Sequence, residues 1–360
     1  MVGLTLGRYL SWRFLETILT VFVAISGLSF LIDFVELLRR AGDLPHARAS
    51  FVALMSFLRV PSVSEQILPF AVLFGTMAAF VNLTRKLELV VARASGVSVW
   101  GFLVPPLLIA VLIGVLSVVA YNPLAADMRQ RADQMEIELF GRPGNSKDAS
   151  IWIRQRSVDG KATLRADRVK DGGAALAGVI AYLDDPQGRF VERIEAPLAV
   201  LVGNAWRLDQ ARVIRLGEEA ESVGTYFLAS DLTAADVLQS VTSADSVAFW
   251  DLPSFRDRTE TAGLDATQYR LQYQSLLARP LLLVAMVLVA AAFSLRFFRF
   301  GGIGKMVGGG VAAGFVLYVA TKMVANMGGA GLLSAPIAAW SPALVGSLLG
   351  ALALLHQEDG

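Results

Sequence analysis

The sequence predicts an α-helical membrane protein with six transmembrane helices, three on each side of an inserted extracytoplasmic β-jellyroll-like domain. Two observations lead to this fold class. The 360 residues are 55% hydrophobic with a mean hydropathy of +0.55, well above the balance of soluble proteins. The middle segment, residues 125–270, holds 18 of the 32 Lys and Arg and 23 of the 31 Asp and Glu. Its net charge is therefore −5, against +6 for the remainder, so the two parts are expected to lie in different solvents.

Six long apolar runs are predicted to span the membrane. They are Phe14–Leu38, Ile67–Leu83, Phe102–Tyr121, Leu276–Leu295, Met306–Met327 and Pro336–Leu355. The first holds 16 consecutive uncharged residues and reaches, with its flanking turns, the roughly 20 that a bilayer requires. This run is longer than the apolar part of a signal peptide and no cleavage site follows it, so we interpret it as a span. The shorter run Phe51–Leu58 is predicted to form a separate, partly interfacial helix.

The middle segment is predicted to begin with a charged helix over Ala125–Phe140 and to continue as short strands. About seven runs alternate between apolar and polar residues, as half-buried strands do: SIWIR, KATLRADRV, GVIAYLD, RFVERIEA, PLAVLV, AWRLDQARVIRL and SVGTYFLAS. Short strands without long helices between them are typical of a small β-sandwich or jelly roll. Thr233–Arg270 then leads back to the membrane as helix and loop. The predicted domains are residues 1–124, with a surface helix at about 85–97, residues 125–270 and residues 271–360.

The basic residues near the span ends predict which side each loop faces, because cytoplasmic loops are enriched in Lys and Arg. If both termini are cytoplasmic, the inner short segments carry Arg8, Arg13, Arg85, Lys86, Arg93, Arg296, Arg299 and Lys305. The outer short segments then carry the smaller set of Arg39, Arg40, Arg48, Arg59, Arg279 and Lys322. This orientation places the segment Arg85–Trp100 in the cytoplasm and the β domain outside it.

The sequence shows no recognisable catalytic or metal-binding motif. It has no cysteine, which excludes a thiolate metal site, and its two histidines are His46 and His356. The H-E-x-x-H and G-x-S-x-G motifs are also missing. Gly301–Met306 (GGIGKM) resembles the end of a nucleotide-binding P-loop, but Arg299 stands at the first glycine position and Met306 replaces the Ser or Thr that holds magnesium. We therefore expect a chain that is not an enzyme and holds no cofactor itself.

The segment Arg85–Trp100 is predicted to be a short surface helix between the second and third spans. Helical spacing gives it an apolar stripe of Leu87, Val90, Val91 and Ala94 and a second stripe of Arg85, Glu88, Ala92 and Ser95. Gly96 supplies the stop. We expect the apolar stripe to seat on the transmembrane helices and the polar stripe to dock a cytoplasmic motor through Glu88. The alternative is that Glu88 is an ordinary exposed carboxylate.

Several runs resemble a known family of membrane proteins. Leu87–Ser98 (LELVVARASGVS), placed after a proline-containing second span, resembles the coupling helix of the LptF/LptG lipopolysaccharide export permeases. Glu36–Asp43 resembles the end of that family's first helix, Ala278–Ser294 its fourth helix and Pro336–Val345 its sixth. The resemblance covers nearly the whole chain. It is closer to the LptG type, chiefly because of Ala94-Ser95-Gly96 and the proline-containing sixth helix.

The resemblance implies partners and a mechanism. A subunit of this type pairs with a homologous LptF-type permease and a dimer of an LptB-type cytoplasmic ATPase, on which ATP and magnesium bind. The permeases extract lipopolysaccharide from the bacterial inner membrane and pass it to a periplasmic bridge of LptC/LptA type, and no nucleic acid is involved. The ATPase would dock on the coupling helix, at Arg85, Glu88, Ala92, Arg93, Ser95 and Gly96.

The same resemblance implies substrate-binding residues near the outer membrane surface. Phosphates of lipopolysaccharide would meet basic side chains, since guanidinium groups bind phosphate with two parallel hydrogen bonds. The candidates are Arg39 and Arg40, which match a basic pair of the family, together with Arg129, Arg131 and Lys322. An apolar wall would come from Phe30, Phe34, Phe70, Phe74, Phe315 and Tyr318. The alternatives are that the basic residues anchor the protein at lipid headgroups and that the aromatic residues are ordinary packing.

The chain departs from the family pattern within its first span. Asp33 stands where LptG-type permeases can carry a lysine, and we expect it to pair with Lys322 or with a base of the partner subunit. Small residues permit close helix approach, so a set of glycines is expected to mark the interface with that subunit: Gly308, Gly309, Gly310 and Gly314. The chain could instead be a permease for another lipid or a lipoprotein, or a membrane-anchored periplasmic assembly scaffold.

Overall fold

The computed structural model describes residues 4–42, 48–140, 151–157, 160–170, 173–185, 189–215, 217–233, 237, 244–261, 265–298 and 303–358. The chain divides into two compact units. The first, the membrane unit, comprises Met1–Met135, Ala248–Pro253 and Thr267–Gly360. The second, the sheet unit, comprises Glu136–Val247 and Ser254–Ala266. The short stretch Ala248–Pro253 thus belongs to the membrane unit, although the chain on both of its sides belongs to the sheet unit.

The described helices include six stretches that are long and apolar enough to cross a membrane. The helices are α1 (Leu4–Ala41), α2 (Ala49–Arg85), α3 (Glu88–Ala94), α4 (Val99–Leu116), α5 (Asn122–Phe140), α6 (Leu252–Thr261), α7 (Thr267–Phe298), α8 (Ile303–Gly329) and α9 (Ala335–Glu358). The spanning stretches are Thr5–Ala41, Ala49–Arg85, Val99–Glu136, Thr267–Leu295, Val307–Gly329 and Ala335–Gln357. Each of them overlaps one of the six predicted spans, so the arrangement of three helices, a β domain and three helices is confirmed.

The predicted interfacial helix Phe51–Leu58 is wrong as a separate element. It is the beginning of α2, which continues through Pro61 and Pro69. Val52 and Met55 are fully buried, so this end of α2 packs inside the unit and does not lie flat at the membrane surface. A continuous helix also satisfies the hydrogen bonds of its own backbone N–H and C=O groups, for which hydrocarbon offers no partners.

The third span and the charged helix that follows it are joined without an intervening loop. A π-helical turn, Ser117–Tyr121, joins α4 directly to α5. Within the turn, the Ser117 hydroxyl donates to the Gly114 carbonyl at 2.8 Å. The charged helix predicted at Ala125–Phe140 is therefore present, but it begins at Asn122 without a loop before it.

Glycines bring helices of the membrane unit close together. A Cβ added at Gly114 on α4 would lie 2.5 Å from the Cα of Pro280 on α7. On α8, a Cβ at Gly310 would lie 2.5 Å from the Met77 Cε, and one at Gly314 would overlap Leu73. The expected partner-subunit interface is thus wrong for Gly310 and Gly314, because α2 of the same chain occupies the space beside both. Gly308 has no such neighbour within 4 Å.

The inserted segment forms one six-stranded antiparallel sheet, which confirms the predicted β domain. Its strands are β1 (Ile151–Ser157), β2 (Gly160–Lys170), β3 (Ala175–Asp184), β4 (Phe190–Val202), β5 (Ala205–Arg215) and β6 (Glu221–Ala229). They lie side by side in chain order, so the described strands form a meander without the crossover of a jelly roll or the second sheet of a sandwich. Alternating residues fill one core, including Leu164, Leu176, Ile194 and Trp206.

Two runs that were predicted as separate strands, RFVERIEA and PLAVLV, are the single strand β4. Pro197 falls inside it and has no N–H to donate to a neighbouring strand. The pairing of β4 with β5 passes from Glu195 with Arg212 to Leu198 with Asp209, so it skips Pro197 and the facing Gln210, which has a φ of 55°. The proline therefore lies where the hydrogen-bond ladder between these strands is interrupted, and the described strands number six.

We predict that Gly114→Ala destabilises the membrane unit, whereas Gly308→Ala does not. The first adds a methyl group against the backbone of Pro280, and overpacking of this kind typically costs about 1–3 kcal/mol. The second makes the same chemical change on a helix where the added methyl meets nothing within 4 Å. Thermal unfolding of the purified protein measures both variants. Equal midpoints for the two would contradict the close approach of α4 and α7.

Candidate functional site

The segment between the second and third spans is a short helix with a defined stop at each end. Only Glu88–Ala94 is helical, because Leu87 adopts a φ of 59° and Gly96 a φ of 84°. A positive φ suits Gly96, which confirms its predicted role as the stop. Ser98 then caps α4 by accepting a hydrogen bond from the Gly101 N–H at 3.1 Å.

The face of α3 that packs on the membrane helices is opposite to the predicted one. Leu89 is only 5% exposed, whereas Leu87 is 60% and Val91 66% exposed. Leu87 lies outside the helix, so the spacing that began the predicted stripe does not apply. The expectation that Leu87, Val90, Val91 and Ala94 seat on the bundle is therefore wrong, and these residues face outward.

Leu89 occupies a cluster to which five membrane helices contribute. Its members come from α1, α2, α4, α7 and α9: Leu10, Phe14, Ala79, Phe80, Leu83, Val99, Phe102, Leu103, Leu288, Ala291, Ala292 and Leu354. Phe14 and Phe80 meet edge to face with ring centroids 5.0 Å apart. A displacement of α3 would therefore press on five helices at once, because a packed core transmits strain.

Glu88 is held by the first turns of α1. The Tyr9 hydroxyl donates to its carboxylate, 3.0 Å from Oε2 and 3.2 Å from Oε1. Arg13 Nε in turn donates to the Tyr9 oxygen at 3.3 Å. Glu88 is half-buried in this contact. Sequence reasoning missed Tyr9, since 79 residues separate the two side chains.

The other predicted docking residues lie around the same helix. Arg85 ends α2 and is exposed, as are Ser95 and Gly96 after α3. Ala92 and Arg93 belong to α3, but their side chains lie outside the described part of the structure. The segment thus presents apolar side chains together with polar ends, a surface suited to a groove on another protein.

At the opposite end of α1, the two predicted substrate arginines share one carboxylate. Arg39 donates to Glu36 through Nε at 3.0 Å and Nη2 at 2.9 Å, and Arg40 donates through Nε at 2.9 Å. The Arg39 side chain remains 74% exposed and Arg40 only 29%. Glu36, Arg39 and Arg40 together carry a net positive charge, and Arg39 is the more exposed of the two cations.

Asp33 pairs with Arg59 of the same chain. The Arg59 Nη1 lies 3.6 Å from Asp33 Oδ1, and both side chains are largely buried between α1 and α2. The expected pairing of Asp33 with Lys322 is therefore wrong, because the carboxylate meets Arg59 of α2 instead, and pairing with a base of the partner subunit stays a prediction. The remaining candidates on α5 also have local acidic neighbours, Arg129 with Asp133 at 3.0 Å and Arg131 with Asp127 at 2.8 Å.

Three of the predicted wall residues and one predicted cation come together on α2 and α8. Phe70 stacks on Phe74, and its ring centroid lies 4.8 Å from that of Tyr318. Lys322, one turn further along α8, places Nζ 5.9 Å from the Tyr318 ring. Phe30 and Phe34 form a separate stack on α1, and Phe315 is exposed on α8. An apolar surface that ends in a cation can hold an acyl chain and its anionic headgroup.

Comparisons with known proteins bear on the whole chain. A family model described as lipopolysaccharide export system permease LptF/LptG matches residues 8–356. The chain is 26% identical over 327 residues to the lipopolysaccharide export system permease protein LptG of Escherichia coli (strain K12), covering 87% of this chain and 88% of that protein. It is 24% identical over 337 residues to the protein of the same name from Haemophilus influenzae, covering 89% of each.

The orientation of α3 gives a direct prediction. Leu89→Ala should lower the free energy of unfolding by about 2–5 kcal/mol, because it leaves a cavity among five helices. Val91→Ala removes a side chain from an exposed position and should change stability by no more than about 0.5 kcal/mol. Thermal or denaturant unfolding of the purified protein distinguishes the two. A larger loss for Val91→Ala would mean that the helix is seated on its other face.

Proposed function

The chain belongs to the LptF/LptG family of lipopolysaccharide export permeases, and from this premise we propose that it extracts lipopolysaccharide from the inner membrane as one subunit of an ATP-driven exporter. The resemblance seen in the sequence, closer to the LptG type, is thereby confirmed. The chain is a multi-pass inner-membrane transporter subunit of the lipopolysaccharide export system and not itself an enzyme. Its partners are other components of that system; which ones, and how they act, belongs to the proposal.

The proposed mechanism rests on how α3 packs against the membrane helices. Its buried residue, Leu89, packs in a cluster with residues of five membrane helices, while Leu87 and Val91 point away from them. In our proposal these exposed residues enter a groove of an LptB-type ATPase dimer, and Glu88 lies at the edge of the contact, steadied by Tyr9. ATP and magnesium bind to that partner. Both termini and α3 then lie in the cytoplasm, and the sheet unit lies in the periplasm.

On the outer side, the proposal assigns the lipid to the basic and aromatic residues. Arg39 and Lys322 would meet the phosphates of lipopolysaccharide, while Phe70, Phe74 and Tyr318 would contact its acyl chains. Arg40, Arg129 and Arg131 already have carboxylate neighbours and would contribute long-range charge. An LptF-type subunit would complete the cavity, and an LptC/LptA-type bridge would receive the lipid from the sheet unit.

Co-purification of the complex tests the docking surface. Val91→Asp and Glu88→Lys are each expected to reduce recovery of the cytoplasmic ATPase by roughly tenfold or more, since each places an unmatched charge in an interface. The matched control is Val223→Asp on β6, which makes the same change at a valine that is 43% exposed. This control should recover the ATPase as wild type does. Full recovery with both α3 variants would count against the motor dock.

Photo-cross-linking to lipopolysaccharide in native membranes tests the substrate surface. The double variant Arg39→Glu, Arg40→Glu is expected to lower cross-linking roughly tenfold, because hydrogen bonds between charged groups are lost. Glu36→Gln frees both arginines from their carboxylate and should raise it. Lys322→Gln should lower it by a smaller factor. Unchanged cross-linking in all three variants would mean that these residues only anchor the protein at lipid headgroups. Cross-linking to phospholipid as strong as that to lipopolysaccharide would favour a permease for another lipid.

A further inference from the structure

An ion pair is buried within the membrane helices where no predicted site lies. Arg279 on α7 donates through Nη1 to Glu65 Oε1 on α2. Glu65 is only 8% exposed and the Arg279 side chain 16%. Removing two charges from water is costly unless their geometry and remaining hydrogen bonds compensate, and ionisable residues inside spans therefore usually serve a function.

The same carboxylate oxygen accepts a second hydrogen bond. Asn122, 1% exposed at the start of α5, donates from Nδ2 to Glu65 Oε1 at 2.9 Å. The other end of the Asn122 amide, Oδ1, accepts the backbone N–H of Phe249 at 2.8 Å. One buried network thus joins α2, α5 and α7 to the stretch Ala248–Pro253.

Ala248–Pro253 is held by two further contacts. The Trp250 indole donates from Nε1 to the Val119 carbonyl at 3.2 Å, within the π-helical turn. The Phe249 ring stacks on Tyr273 of α7, with centroids 5.3 Å apart and planes 6° from parallel. The residues before and after this stretch belong to the sheet unit. These contacts therefore hold Ala248–Pro253 on the membrane helices before the chain continues along α6.

The chemistry of the groups determines which way the Asn122 amide points. A carboxylate without a proton only accepts hydrogen bonds, so the NH₂ of Asn122 faces Glu65 and its oxygen faces the Phe249 N–H. Arg279 offsets the charge of that carboxylate, since guanidinium remains charged in proteins. We propose that Glu65, Arg279 and Asn122 are positioning residues that hold Ala248–Pro253 on the membrane helices, with Glu65 setting the orientation of the Asn122 amide.

Hydrogen–deuterium exchange of the purified full-length protein in its complex tests this directly, whatever lipid is transported. The readout is the exchange rate of the Phe249 amide relative to peptides of α2, α5 and α7. Asn122→Ala and Glu65→Leu should each accelerate it roughly tenfold, because the buried acceptor is lost or misoriented. Glu65→Gln retains an acceptor oxygen of the same shape and should preserve protection. Ser117→Ala, a buried hydroxyl lost from the adjacent turn, is the matched control and should leave Phe249 protected.

If these residues only stabilised the helices as a whole, their loss would accelerate exchange throughout the helices and not specifically at Phe249. If Glu65→Leu accelerates exchange throughout the helices, the decisive variant is Asn122→Leu, which has a similar size but offers neither a donor to Glu65 nor an acceptor to Phe249. It should deprotect Phe249 while the peptides of α2 and α7 keep their wild-type rates. A protected Phe249 in both Asn122→Leu and Asn122→Ala, or equal acceleration by Glu65→Gln and Glu65→Leu, overturns the proposal.

Discussion

Hydrocarbon offers no hydrogen-bond partner to a polar group, and two acidic side chains on the membrane helices are each paired with an arginine. Asp33 meets Arg59, and Glu65 meets Arg279. Each pair joins different helices, so the same contacts that satisfy the charges also fix which helices are neighbours. The glycines act in the same direction, because Gly114 can approach Pro280 only without a side chain. The thickness of the bilayer determines how long the helices must be, whereas these few contacts determine which helices lie next to each other.

The fold was largely predictable, since it depends on properties that a short window of sequence contains. An apolar run of sufficient length spans the membrane whatever surrounds it, and alternating runs form strands. The errors arose where a local signal competed with packing. Pro197 suggested a strand boundary, but β4 continues through it where its pairing with β5 is interrupted. Phe51–Leu58 is too short to span the membrane and was predicted as a separate interfacial helix, yet Val52 and Met55 pack in the core as part of α2.

The candidate site was less predictable, because it depends on the phase of one helix and on distant partners. Seven residues make only two turns, so Leu87 and Leu89 suggest opposite faces with similar strength. The positive φ of Leu87 decides between them, and nothing in the sequence indicates it. The same limit applies to Tyr9 beside Glu88 and to Arg59 beside Asp33, since helix tilt determines both contacts. The predicted location of a short helix between the second and third spans was correct, whereas its buried face was reversed.

Glu36 gives the C-terminal end of α1 a property that a bare pair of arginines lacks. In the proposed function, an incoming phosphate would find Arg39 and Arg40 already bound to a carboxylate, so it would exchange one anion for another. The free energy of capture is then the difference between two similar interactions. A protein that stores its ligand would gain from removing such a competitor, but one that hands its ligand on benefits from it. In the proposed exporter, Glu36 would reclaim the arginines as the lipid departs and so make capture reversible.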